Sequence, residues 1–101
     1  MATIASIPDR VRAGLTWLDT NHPGWLKRIN RDLLHVGSNK ACILAQLFGG
    51  FDAPVVRAVP LASLKAMGFT ASNPKKYTEE TDALTNEWRK EIALRNRARL
   101  S

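Results

Sequence analysis

Residues 38–50 read S-N-K-A-C-I-L-A-Q-L-F-G-G, and from Ala41 to Phe48 only Gln46 is polar. A helix built on this run is apolar nearly all round, the pattern of a helix buried at the centre of a small protein. Its ends are marked. The Ser38 hydroxyl suits an N-cap, where it takes up a free amide of the first turn. Gly49 can adopt the left-handed conformation that stops a helix. The run therefore predicts a buried central helix over 38–48, and the other segments have to pack around it.

Those segments read as helices too. Ser6-Ile7-Pro8-Asp9 is a helix start, with Ser6 as cap, Pro8 in the first turn where no amide bond is lost, and Asp9 placed to reach back. Ile7, Val11, Leu15 and Leu18 then mark one helical face. Gly14 either weakens this helix or lets another approach closely. His22 before Pro23 is pushed out of helical geometry and turns the chain. Pro23 then opens a short helix in which Trp25 and Ile29 share a face. Leu33 to Val36 is too short to assign. Gly49-Gly50-Phe51 forms a loop, and Asp52 is placed to cap the next segment. Pro60 divides that segment into two short helices, about 52–58 and 60–67. A Schellman cap at Gly68 brings Leu64 against Phe69.

The last helix begins between Asn73 and Thr78 and runs almost to the end. Tyr77, Leu84, Trp88 and Ile92 form its apolar stripe, with acids in its first turns and arginines in its last, as the helix dipole favours. Past Ile92 the stripe becomes Arg95 and Arg99, so the basic end, 93–101, is expected to project beyond the core. The expected fold is all-α: a single domain over residues 1–101, with five or six helices around the segment 38–48 and a long C-terminal helix.

The net charge is +6, with a pI near 10.1. Residues 89–101 carry Arg89, Lys90, Arg95, Arg97 and Arg99 against Glu91 alone, so +4 of the +6 sits in this segment. A basic tail is a different signal from a basic groove. No apolar run approaches the ~18–20 residues needed to span a bilayer. The first ten residues lack the basic start and apolar stretch of a signal peptide. The lone Cys42 has no intramolecular disulfide partner. A soluble cytoplasmic protein is the expectation.

Catalytic patterns are missing. There is no nucleophile elbow and no G-x-x-x-x-G-K loop, and Gly49-Gly50 follows a helix where phosphate loops precede one. Cys42 lies among Ile43, Leu44 and Ala45, a setting for an inert packed thiol. Asp19, Asp32 and Asp52 stand apart. His22 and His35 have no further ligands at metal-binding spacing. The chain reads as a non-enzyme without metal or cofactor.

Residues 61–77 resemble a helix-turn-helix in outline, with Lys75 and Lys76 on its second helix. Leu64 stands where the first helix needs a small side chain, however, and Pro74 where the second needs a buried aliphatic one. Of three tryptophans, Trp17 lies toward the edge of its helical face, where an exposed aromatic marks a binding patch.

One set of residues resembles a known group. W-L-D at 17–19, P-G-W at 23–25, Ile29, C-I-L-A-Q-L-F-G at 42–49, G-F at 68–69 and E-W-R at 87–89 are similar to a family of small proteins of actinobacteria and their bacteriophages. The resemblance spans roughly residues 13–92. It implies no activity, and points to a phage-encoded or actinobacterial accessory protein. The reading that results is a small interaction protein that binds a host or phage protein through Trp17, Arg89, Arg95, Arg97 and Arg99. The alternative is a nucleic-acid binder using Lys75, Lys76, Arg95 and Arg99. Self-association through the last helix is compatible with either.

Overall fold

The computed structural model describes residues 6–38, 40–50 and 52–100, except for the side chains of Pro74, Arg99 and Leu100. Phe51 and the Arg99 side chain, both named above, lie outside the described residues. Five α-helices follow in order: α1 (Ile7–Asn21), α2 (Ile43–Phe48), α3 (Pro54–Arg57), α4 (Leu61–Ala66) and α5 (Tyr77–Leu100). Short 3₁₀ turns at Trp25–Arg28 and Pro74–Lys76 complete the regular structure. Every regular element among the described residues is helical. The fold is all-α with a long C-terminal helix, as expected.

The long axis of the molecule is 42 Å against 27 and 24 Å for the others, and α5 accounts for it: 24 residues at 1.5 Å rise span ~36 Å. Helix α1 lies along α5 because both present a buried stripe. Val11, Leu15 and Leu18 face Leu84, Trp88 and Ile92, all no more than 3% exposed. Gly14 permits the contact. A Cβ there would come within 2.8 Å of Trp88 Cζ2 and would also meet the Met67 carbonyl at the end of α4. Close approach, rather than helix weakening, is therefore the role of this glycine.

The caps at Ser6 and Gly68 form as expected. Ser6 Oγ accepts from the Asp9 amide at 3.3 Å, while the Asp9 carboxylate turns to Arg12 rather than back to the cap. At the end of α4 the Phe69 amide donates to Leu64 and the Gly68 amide to Lys65, at 3.0 and 3.2 Å, with Gly68 at φ +74°. This is the Schellman pattern. It carries Phe69 into the core, where it stacks on Trp88 at 5.4 Å.

Four local expectations are corrected. The central helix starts at Ile43, not Ser38. Cys42 is its N-cap, with the thiol sulfur accepting from the Ala45 amide at 3.4 Å. Ser38 does bind free amides, but those of Lys40 and Ala41 in a turn before the helix. Local hydroxyl–amide bonding competes with helix extension here. Ile29 does not share a helix with Trp25, because the 3₁₀ turn ends at Arg28 and Ile29 is extended. Ala53, not Asp52, precedes α3, and α3 and α4 are shorter than the ranges 52–58 and 60–67. Tyr77 is 48% exposed and lies off the buried stripe. Its place is taken by Thr81 and Thr85, buried because their hydroxyls bond within the helix to the carbonyls of Thr78 and Thr81.

Polar ties hold the loop 30–38 to the helices. Gln46, the one polar residue of the central run, bonds through both ends of its amide, accepting from the Asn30 amide and donating to the carbonyls of Asn30 and Ala41. Thr85 Oγ1 accepts from the Val36 amide at 2.9 Å, a buried bond. Arg10, only 2% exposed, joins α1 to the chain around α4 and to α5. Its guanidinium donates to the carbonyls of Lys65 and Thr70, each at 2.9 Å, and pairs with Glu80 at 2.7 Å.

Candidate binding surface

Pro23 restrains the residue before it, so α1 stops at Asn21 and His22 becomes its C-cap, its amide bonded to Leu18 at 2.8 Å. That stop leaves the His22 ring beside Trp17 of the preceding turn, with centroids 4.9 Å apart. Phe48, the last residue of α2 before left-handed Gly49, meets both rings. It lies 4.8 Å from His22 and 6.3 Å from Trp17, edge to face in each case. All three rings are partly buried, neither sealed in the core nor standing clear of it. Trp17 touches core Phe69 at 5.7 Å, which anchors the group from beneath. The other two tryptophans are core: Trp25 is 2% and Trp88 0% exposed. Their indole N–H groups donate to Asp19 and to the Gly68 carbonyl, at 2.9 and 2.7 Å.

The cationic residues singled out from the sequence fall into separate places. Arg95 is held by the body of the protein, its Nη1 3.0 and 2.8 Å from the two carboxylate oxygens of Asp19 on α1. Ile92 is the last buried residue of α5 among the described residues, and past it the contact with α1 continues one turn further through this partly exposed ion pair. Asp19 serves Trp25 and Arg95 together, which placed this carboxylate where sequence spacing could not foresee it. Arg89 is a staple between α5 and the loop before α2. It donates to the carbonyls of Leu34 and Asp32, at 2.9 and 3.3 Å, while its own carbonyl accepts from Arg31. Its Nε is shielded from solvent and makes no hydrogen bond among the described residues.

Arg97 lies on the exposed side of α5. With Arg31, Arg89, Lys90, Ala93 and Leu94 it lines an open concavity of about 480 Å³. Sequence reading did not include Arg31, which is distant in the chain and brought here by its bond to the Arg89 carbonyl. Lys75 and Lys76 are exposed at the other end of α5, beside Glu79. Lys76 and Arg95 are 19 positions apart, so ~28 Å of helix separates them. The two halves of the nucleic-acid set therefore do not form one patch.

Glu80 is a strongly perturbed acid. Burial works against its charge, but the hydroxyl and amide of Ser72, the Asn73 amide and Arg10 outweigh that and hold its pKa at about 2 rather than 4.5. All of these partners are internal, so the group acts as a cross-link. His35 stands 3.6 Å from Asp82, and Cys42 is a buried free thiol. Among the described residues no three His, Cys, Asp or Glu side chains gather where they could hold a metal, and no helix is long and apolar enough to cross a membrane. No protein-family model matches the chain, and no curated protein and no solved structure is significantly similar to it.

Proposed function

We propose that this is a non-enzymatic protein-interaction factor of the cytoplasm, and that Trp17, His22 and Phe48 form the face on which a partner protein docks. The observation that carries the reading is three partly buried aromatic rings in mutual contact, anchored on core Phe69. Rings held in this way add contact area to an interface without losing much rotamer freedom, and aromatic residues are enriched at interface centres. The resemblance of the W-L-D, P-G-W and C-I-L-A-Q-L-F-G segments to small actinobacterial and phage proteins supports a phage-encoded accessory role, with the partner a host or phage protein. Two of the three patch residues, Trp17 and Phe48, fall within those segments. Arg89 and Arg95 contribute by holding the fold, while Arg97 remains a candidate for a second contact.

The test is capture from nuclease-treated actinobacterial lysate, comparing wild type with His22→Glu and Phe48→Glu. A stoichiometric protein that wild type retains, and that both variants lose while keeping their helical circular dichroism, is the expected result. Equal capture by wild type and variants contradicts the assignment.

A second reading rests on the concavity that gathers Arg31, Arg89, Lys90 and Arg97. Four cations around one hollow suit the phosphates of a nucleic acid, and such binding weakens steeply with salt. Binding to random duplex DNA that is absent, or indifferent to salt, removes it.

A further inference from the structure

Along the solvent side of α5, Glu79, Ala83, Asn86, Lys90, Ala93 and Arg97 follow one another at spacings of four, three, four, three and four. These are the spacings of a and d positions in a coiled coil, filled here by two alanines and four polar residues, on the side of α5 opposite the buried stripe of Leu84, Trp88 and Ile92. Glu79, Asn86, Lys90 and Arg97 are exposed, and the two alanines are half-buried. Read from its two ends toward Trp88, the seam is self-complementary: an acid answers a base, an alanine an alanine, an amide an ammonium.

From this we infer that α5 pairs antiparallel with α5 of a second copy of this chain. In an antiparallel pair each d position of one helix meets an a position of the other, and this register satisfies that rule at every layer. Glu79 meets Arg97 of the second copy, Ala83 meets Ala93, and Asn86 meets Lys90, each layer occurring twice about the two-fold axis. The alanines let the helix backbones approach. They also sit in the two hollows of this face. Ala83 lines one of about 320 Å³ with Ile7, the ion pair of Arg10 and Glu80, and the opposite charges of Lys76 and Glu79 around it, and Ala93 lines the basic one of about 480 Å³. The register sets the Ile7-lined hollow of each copy against the basic hollow of the other. It also brings Leu94, 49% exposed, level with the Ile7-lined hollow and gives that leucine an apolar seat. Opposed helix dipoles add to the attraction.

The like charges nearest the axis, Glu87 and Arg89, are occupied within their own copy, by Lys90 at 3.2 Å and by the Leu34 carbonyl at 2.9 Å. A seam of polar and alanine layers buries little apolar surface, so the dimer is weak, with a Kd on the order of 100 μM. A second copy fits better than a nucleic acid. Only one end of the seam is uniformly basic, and the other mixes Lys75 and Lys76 with Glu79 and Asp82.

Sedimentation equilibrium of the full chain tests this, from ~10 μM to ~1 mM around that Kd. The expected mass rises from 11.2 kDa toward twice that value. Glu79→Arg and Arg97→Glu each weaken association at least five-fold, and the double exchange, which swaps both charges on both copies, restores it. A monomer at all concentrations overturns the inference. So does a dimer indifferent to the single exchanges, or assembly seen only when duplex DNA is added. The readout needs no partner protein, so its failure leaves the aromatic-patch reading untouched.

Discussion

Arg10 and Glu80 are the residues on which three segments depend. Removing Arg10 would strand a half-buried carboxylate and free two carbonyls, so Arg10→Ala is expected to cost about 3–5 kcal/mol in chemical denaturation. A tolerant substitution would show that the carbonyls of Lys65 and Thr70 find other donors. The pair also sets an acid limit. With its pKa lowered to about 2 from 4.5, Glu80 binds its proton less readily when folded. Its contribution is therefore present above pH 4.5 and is lost as pH falls toward 2. That contribution is about 2 kcal/mol once screening at its partly exposed edge is allowed for. The denaturation midpoint of Glu80→Gln should accordingly vary less than wild type between pH 5 and 2.5. Neither partner was legible in the sequence. Arg10 is a basic residue in a first turn, where solvent is the ordinary surrounding, and Glu80 reads as an acid serving the helix dipole. Their meeting depends on how α1, α4 and α5 pack, which no local pattern encodes.

At the scale of elements, periodicity and punctuation were informative where the signal is local. The start of α1 at Ser6, the Schellman turn at Gly68 and the burial of Leu84, Trp88 and Ile92 all follow from residues a few positions apart. The start of α2 did not, because the Ser38 hydroxyl serves a preceding turn and a cysteine takes the cap. Thr81 and Thr85 escaped an apolar-stripe reading because threonine hides its hydroxyl by bonding to its own helix. Helix contacts carry two further predictions. Gly14→Ala should destabilise by about 1–3 kcal/mol although alanine is the better helix former, since its methyl would strike Trp88 and the Met67 carbonyl. A neutral or stabilising result would mean that α1 and α5 can separate at little cost. At the far end of the same contact, Arg95→Ala should cost about 0.5–1 kcal/mol, as a partly exposed ion pair does. Asp19→Ala should cost about 1–2 kcal/mol, because it also leaves the buried Trp25 indole without its acceptor. Equal costs in urea melts would separate Asp19 from Trp25.

For the whole molecule, the fold was the readable part and the surface much less so. Trp17 could be suspected because it stands off the apolar face of its helix. His22 and Phe48, which complete the patch, belong to segments read as a turn and as a buried helix, and only the meeting of two helix ends unites them. The basic residues that looked like one arm in the sequence are distributed by the fold: Arg95 to α1, Arg89 to a loop, Arg97 to a hollow with Arg31. What remains outward is an aromatic patch formed by α1 and α2 and a polar seam along α5, two faces with different chemistry. The central claim is that the first receives a protein, and a photo-crosslinking residue introduced in place of Phe48 tests it most directly, with one in place of Lys76 as control. Incubated with nuclease-treated actinobacterial lysate, the position-48 protein should yield one discrete protein adduct that excess unlabelled wild type suppresses and that the position-76 protein does not form. Adducts of equal yield at both positions, or none at position 48, would contradict the account.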